Sequence, residues 1–391
     1  MRRARVSGVR GHDVPVNQPQ PGSFGAVEVT DAPPAGVPHL EPAPLTPRAI
    51  TLAASTVLTS VLVAVAAVLP MPYAISSPGP TKDTLGEESG KPLIAVEGEE
   101  TFPASGELLL TTVSVAGGPD YPVGLAQVVH AWFARERSVT PVELVFQPSV
   151  SRDEVDAQNQ AAMISSQENA TVAALEELGY EVPTVLTVSD VMPGTGAAEV
   201  VEAQDVIVAV GGQDVLSFSD LSAAMDEVDA GDDVEVGVLR DGERVDLTVT
   251  TGSDDQGESL LGVYIDPEFD LPVDVTIQIE NIGGPSAGTM FALGIIDKLT
   301  EADEANGTTI AGTGTMDLTG TVGPIGGIRQ KLFGALEDGA TWFLAPEANC
   351  GDVVGNVPDG LRVVSVGTLS EAREAVEAIG AGDTEGLPTC E

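Results

Sequence analysis

Lysine is nearly absent from this chain of 391 residues: only Lys82, Lys91, Lys298 and Lys331 occur. Histidine is scarcer still, with His12, His39 and His130 and none later. No His-x-x-x-His pair and no cysteine cluster offers zinc ligands, and no Gly-x4-Gly-Lys-Ser/Thr loop could cradle a nucleotide, so neither a metal nor a cofactor is expected. Bases as a group are few. Sixty acids face 17 bases, a formal net charge of −43, which argues against nucleic acid or an anionic bilayer surface as partner, so no nucleic acid is expected. Apolar residues are not lacking. At 42% of the chain they suffice for packed cores, and the length allows more than one domain.

The acidity is uneven. Residues 1–48 hold Arg2, Arg3, Arg5, Arg10 and Arg48 against four acids, and nine prolines precede residue 48. This stretch reads as a disordered cytoplasmic tail. Residues 49–69 carry no charge at all, long enough to cross a bilayer as a helix, and the span is set at 49–71. Arginines before it and Asp83, Glu87 and Glu88 after it orient the N-terminus inward under the positive-inside rule. The expectation is therefore a single-pass plasma-membrane protein with its remaining domains extracytoplasmic. Ala64-Val65-Ala66 also fits a signal-peptide cleavage pattern, and a buried soluble helix is a third reading. On the exported side the only cysteines, Cys350 and Cys390, are even in number and too far apart for a CxxC motif. They permit a disulfide tying the tail to the last domain, with two unpaired thiols as the alternative.

Beyond the span, strands are expected at 93–96 and 107–115, and a helix at about 155–178 with Met163, Ala170, Ala174 and Leu178 on its apolar face, closed by Gly179. Residues 184–251 alternate strands with turn signals around one helix at about 218–228. They resemble a PDZ domain of the bacterial peptidase-associated type, with two departures. Gln204-Asp205 stands where Gly-Asp is usual, and no carboxylate-binding loop is evident. The last unit has a strand at 273–280, a helix at 285–299 begun by Pro285 at its first position, a strand and turn region at 309–325, a helix at 328–337 stopped by Gly339, a strand at 341–345 and a helix at about 370–378.

Two segments in that unit carry chemistry. Gly283-Gly284-Pro285-Ser286-Ala287-Gly288 puts a serine where a strand passes into a helix, near unpaired N–H groups and the positive helix end. Read alone it is equally a serine-capped turn. Gly-Pro-Ser-Ala-Gly also satisfies the nucleophile-elbow pattern, but that needs an acid and then a histidine downstream of the serine, and all three histidines lie upstream. His130 beside Trp132 and Phe133 reads as a packing or surface residue. A lysine is then the available base, once burial lowers its pKa toward neutrality. Lys331, between Ile328 and Leu332 and after Pro324-Ile325-Gly326-Gly327, suits this. Lys298, at the far end of the serine's helix about 18 Å away, suits a helix C-terminal charge instead.

Gly284-Pro285-Ser286-Ala287-Gly288, Gly312-Thr313-Gly314, the run 320–328, Lys331-Leu332 and 335–339 together resemble the proteolytic domain of the Lon family. The order anchor, PDZ, Lon is similar to the membrane-anchored Lon-like peptidases of Gram-positive bacteria, and an actinobacterial member fits the composition. The resemblance implies Ser286 as nucleophile, Lys331 as general base and Thr313 as the residue orienting the lysine. Gly283 departs from the acid many ATP-dependent members carry there, and no ATPase domain precedes the peptidase. The implied fold is α+β: residues 82–182 and 253–379 form one Lon-type domain, a PDZ domain at 183–252 is inserted, and 380–391 is a tail. The implied function is an ATP-independent serine endopeptidase acting on flexible or unfolded polypeptides, with the PDZ unit capturing or gating substrate. A homo-oligomer, a hexamer among the ring sizes, is implied too. The alternative is a non-enzymatic PDZ scaffold with a decayed peptidase fold.

Overall fold

The computed structural model describes residues 46–118, 121–146, 150–254, 257–279 and 282–390. The expected tail lies outside the described residues as far as residue 45, as do the last residue of the strand expected at 273–280 and the chain's final residue. The uncharged run forms the helix Pro47–Val68, about 33 Å long at the α-helical rise. Three of its hydroxyls bond within the helix: Thr51, Ser55 and Thr56 each donate to the carbonyl four residues back. Among the described residues it is the one helix long and apolar enough to cross a membrane. The boundary between the chain's two compact units falls inside it, after Thr59, and every sheet among the described residues belongs to the second unit.

A five-stranded sheet forms the body of that unit, in the order Arg362–Val366, Trp342–Pro346, Thr309–Gly312, Glu107–Leu110, Lys82–Asp83. The first four strands are parallel and the last is antiparallel. Parallel strands are covered on both faces, which requires continuous apolar runs. Leu108, Leu110, Ile310, Ala311, Phe343 and Leu344 are accordingly buried. Gly288–Leu299, Leu369–Ala381 and the long helix Arg152–Glu177 share one core with this sheet, built on Phe291, Leu293, Ala170, Ala174 and Val376. Ile328–Glu337 packs a second core, through Leu332 and Ala335 against Phe343.

The strand expected at 107–115 is two strands. Glu107–Leu110 stays in the main sheet, whereas Val113–Ala116 pairs with Tyr73–Pro78 in a separate three-stranded sheet. The break lies at two threonines whose hydroxyls leave the ladder: Thr111 donates to the Gly312 carbonyl and Thr112 to that of Pro80.

Between the two contributions to the main sheet stands a sheet of six strands. Its path runs Glu243–Thr250, Asp233–Arg240, Val206–Val210, Thr184–Val191, Val263–Phe269, with Gln213–Asp214 paired beside Val206–Val210. Its core is Leu186, Val188, Val236, Val238 and Leu221, the last from the helix Phe218–Asp226. The strand Val263–Phe269 pairs along the whole of Thr184–Val191, so this sheet reaches past residue 252, where the sequence suggested an end. Gln204, in the usual glycine position, takes the left-handed conformation at φ +76°, which an L side chain adopts only at a cost. The next residue explains why the turn persists. Asp205 is buried and holds Arg240 by two hydrogen bonds of 2.8 and 2.7 Å, and that pairing keeps its carboxyl below the usual carboxylate range.

The main body and the six-stranded sheet meet at the end of the long helix. Ser219 donates to the Glu176 carboxylate, and Phe218 packs on the cluster of Val172, Leu175, Val182 and Val273.

Candidate active site

Ser286 is not inside a helix. Gly288–Leu299 begins two residues later, and Pro285, expected at its first position, lies in the preceding turn. The Ser286 carbonyl is the reason. It accepts hydrogen bonds from the Gly314 N–H at 3.0 Å and the Thr313 hydroxyl at 2.9 Å, so it is committed away from the helical ladder. The turn is held from a second side by the long helix. The Asn159 carbonyl accepts the Gly284 N–H at 2.9 Å, and Ser166 Oγ donates to the Pro285 carbonyl at 3.0 Å. Close approach demands glycine at position 288, where a Cβ would fall 2.7 Å from that of Met316. Gly314 combines φ +156° with a Thr289 hydroxyl 2.3 Å from where its Cβ would be.

Lys331 sits in the first turn of Ile328–Glu337, which starts after Gly327 in the left-handed conformation. The Gly-Gly entry is clamped from outside: Asn349 accepts from the Ile325 N–H at 2.8 Å and donates to the Ile325 carbonyl at 3.0 Å. This aims the lysine inward, where it is only 2% exposed. Its Nζ lies 2.7 Å from Ser286 Oγ and 2.7 Å from Thr313 Oγ1. Burial alone pushes the amine down to about 7, because a charge loses hydration that nothing here replaces with an anion.

The hydrogen-bond directions are informative. Thr313 gives its one hydroxyl proton to the Ser286 carbonyl, so toward Lys331 it can only accept. A neutral amine that donates one proton to Thr313 keeps its lone pair for the Ser286 hydroxyl. Thr313 is itself anchored at the end of a central strand, through its N–H to the Leu344 carbonyl at 3.2 Å.

Ser286, Lys331 and Thr313, the residues singled out in the sequence, thus converge. Lys298 does not join them. Its Nζ donates to the Leu85 carbonyl at 3.4 Å at the end of its helix, and burial lowers its pKa. His130 is exposed on the helix Leu125–Phe133. Cys350 and Cys390 are bonded to one another, and the tail they hold lies along Arg362–Val366, where the Ser365 N–H donates to the Pro388 carbonyl. Sequence reasoning passed over Asn159, Ser166 and Asn349. The first two had a signal: they recur with Met163 and Ala170 on one face of the long helix, polar residues in an apolar stripe. Asn349 had none.

A serine hydroxyl lies 2.7 Å from a buried amine whose pKa burial lowers to about 7, an arrangement suited to nucleophilic hydrolysis. The particular kind emerges from comparison. Residues 270–377 match the model of the Lon protease C-terminal proteolytic domain, and 159–251 match that of the PDZ domain. The chain is 32% identical over 144 residues to a Lon protease of Desulfatibacillum aliphaticivorans, covering 35% of this chain and 16% of that one. It is 32% identical over 159 residues to that of Clostridioides difficile, covering 36% and 20%. It thus spans a fifth or less of the length of these curated relatives. Among solved structures, the PDZ domain of an SdrC-like protein from Listeria monocytogenes is 20% identical, covering 21% of this chain and 86% of that one with a TM-score of 0.20. The chain is a mixed α+β protein that carries a Lon-type proteolytic domain and a PDZ domain.

Proposed function

We propose that the protein is an ATP-independent, membrane-anchored serine endopeptidase of the Lon type, cleaving flexible or unfolded polypeptides outside the cytoplasm. The observation that carries this reading is the position of Lys331 Nζ, 2.7 Å from Ser286 Oγ, in surroundings that hold its pKa near 7. The neutral amine takes the serine proton as Oγ attacks the scissile carbonyl. The resulting ammonium returns that proton to the leaving amine, and an acyl-enzyme remains. A water then gives its proton to Lys331 and attacks the ester, and the ammonium passes that proton to Ser286 Oγ as the ester C–O bond breaks, which releases the new carboxyl end and restores the serine and the neutral amine. The start of Gly288–Leu299 just beyond the serine favours the transient oxyanion through the positive end of the helix dipole.

The other parts of the reading rest on separate supports. The parallel pairing of Glu107–Leu110 with Thr309–Gly312 supports one peptidase body built from 82–182 and, since Val263–Phe269 belongs to the six-stranded sheet, from the chain beyond Phe269 to 379, with the PDZ domain between. An exposed apolar helix, arginines before it and a disulfide beyond it support an anchored, exported protein. The PDZ unit would take extended polypeptide by adding it to a sheet edge. Assembly into a ring of like chains, the hexamer included, rests on the Lon likeness. In the direct test, the purified chain in detergent digests an unfolded protein without nucleotide, and Ser286→Ala and Lys331→Met each abolish the digestion. Undiminished cleavage by either variant would refute the assignment.

A further inference from the structure

The helix Leu125–Phe133 is apolar on two opposite sides. Val128 and Ala131 face inward and pack with Ile75 and Val123. Opposite them, Ala126, Val129 and Phe133 form an i, i+3, i+7 stripe that is exposed, Phe133 to 85%. Trp132, 59% exposed, lies on the flank with one ring edge toward Tyr73, 6.3 Å between centroids. None of the nine residues is an acid, lysine or arginine, in a chain where one residue in five is charged. Its exposed polar residues are Gln127 and His130, and the stripe beside them is an uncharged apolar face of the kind that is normally covered.

Its neighbour indicates what covers it. Val123-Gly124, immediately before this helix, pair with Pro70-Met71, just beyond the end of Pro47–Val68. The approach is so close that a Cβ on Gly124 would fall 2.6 Å from the Ala67 carbonyl. The short helix, about 13 Å long, therefore begins where the apolar helix ends. A cavity of about 460 Å³ opens beside the stripe, and Trp132, Phe133, Arg135, Arg137 and Arg329 are among its walls. Arg329 comes from the lysine's helix and donates to the Arg137 carbonyl. The Nε atoms of Arg137 and Arg329 are shielded from solvent without a hydrogen-bond partner among the described residues. The Glu136 carboxylate, 3.9 Å from Arg137 Nε, is too distant to serve as one.

We infer that this face lies on the outer surface of the bilayer, with Phe133, Val129 and Trp132 in the headgroup layer and an anionic phospholipid headgroup in the arginine-lined cavity. Aromatic residues favour that layer, and a guanidinium pair suits a phosphate. The net charge of −43 opposes contact between the body as a whole and an anionic membrane, but screening confines each charge to roughly 8 Å at physiological ionic strength. The three arginines govern the contact locally. The inference rests on the anchored reading, and its test separates the two.

The chain has two tryptophans, Trp132 and Trp342. Trp342→Phe in the full chain therefore leaves Trp132 as sole reporter. The protein is reconstituted into phosphatidylcholine vesicles with and without phosphatidylglycerol, and with brominated acyl chains as quencher. The expected result is blue-shifted emission, at least about twofold quenching and stronger quenching with phosphatidylglycerol. Val129→Asp with Phe133→Asp should remove the quenching, and Arg135→Glu with Arg137→Glu should remove the dependence on anionic lipid. A chain that floats with the vesicles while Trp132 emits as in water overturns the inference and leaves the anchor standing. A chain that does not float overturns both. A blue shift that grows with protein concentration, without quenching, assigns the face to a second copy and overturns the inference. Equal quenching in both lipids overturns the headgroup site.

Discussion

Thr313 Oγ1 stands between Lys331 Nζ at 2.7 Å and the Ser286 carbonyl at 2.9 Å, so one hydroxyl joins Lys331 and Ser286 into a single hydrogen-bonded circuit. Because its proton goes to the carbonyl, it can only accept from the lysine. Thr313→Val keeps the shape and removes the circuit. The expected outcome is a loss of roughly 10- to 100-fold in kcat with little change in KM, in line with what one positioned proton-transfer partner contributes. Thr313→Ser should restore most of it. The rising limb of the pH–rate profile should also move to lower pH in the valine variant, since an acceptor that favours the ammonium is gone.

Under the proposed mechanism the pH dependence of the parent follows Lys331. Burial lowers its pKa to about 7, and the base must be neutral to act. Cleavage should rise about tenfold per pH unit below that value and level off above it. Initial rates on an unfolded substrate from about pH 5.5 to 9 check this, and a flat profile would exclude a titrating lysine.

The same shift makes a statement about stability. The folded pKa lies below the unfolded one, so between about 7 and 10.5 the unfolded chain binds more protons. Stability therefore rises with pH through that window, and below it the buried ammonium is fully destabilising. Lys331→Met removes the dependence. The stability of the variant relative to the parent should be greatest near pH 6 and fall by about 4–5 kcal/mol toward pH 10.5. Melting temperatures of both proteins across that range provide the measurement.

The bond between Cys350 and Cys390 closes a loop with a sequence separation of 40. By loop-closure entropy that constraint contributes about 4 kcal/mol. Cys390→Ser should lower stability by up to that amount and free the tail from Arg362–Val366, detected as faster amide exchange at Ser365, whose N–H donates to Pro388. Cleavage at ambient temperature should persist, because neither cysteine touches the Ser286–Lys331 pair.

Much of the candidate site was legible in the sequence because its signals are local. Gly-Pro-Ser-Ala-Gly and Pro-Ile-Gly-Gly are contiguous, and the lysine stands out because only four occur. The helix Ile328–Glu337 was bounded correctly by Gly327 and Gly339, whose left-handed backbones are at φ +71° and +92°. The serine's helix was not, since the bonds that hold the Ser286 carbonyl come from residues 313 and 314. The strand 107–115 failed for a similar reason. Its run of strand-forming residues continues unbroken, but Thr111 and Thr112 turn to Gly312 and Pro80.

By itself the sequence determined which residues could do chemistry and which chemistries were closed. No histidine lies downstream of Ser286, and one apolar run is long enough for a bilayer. Only the tertiary structure decided that Lys331 is dry enough to be neutral near pH 7, that Thr313 can accept from it but not donate to it, and that Ser166 and Asn159 brace the serine's turn from a helix more than a hundred residues earlier. A residue type is a local property, whereas hydration and hydrogen-bond direction belong to whatever the fold packs around it.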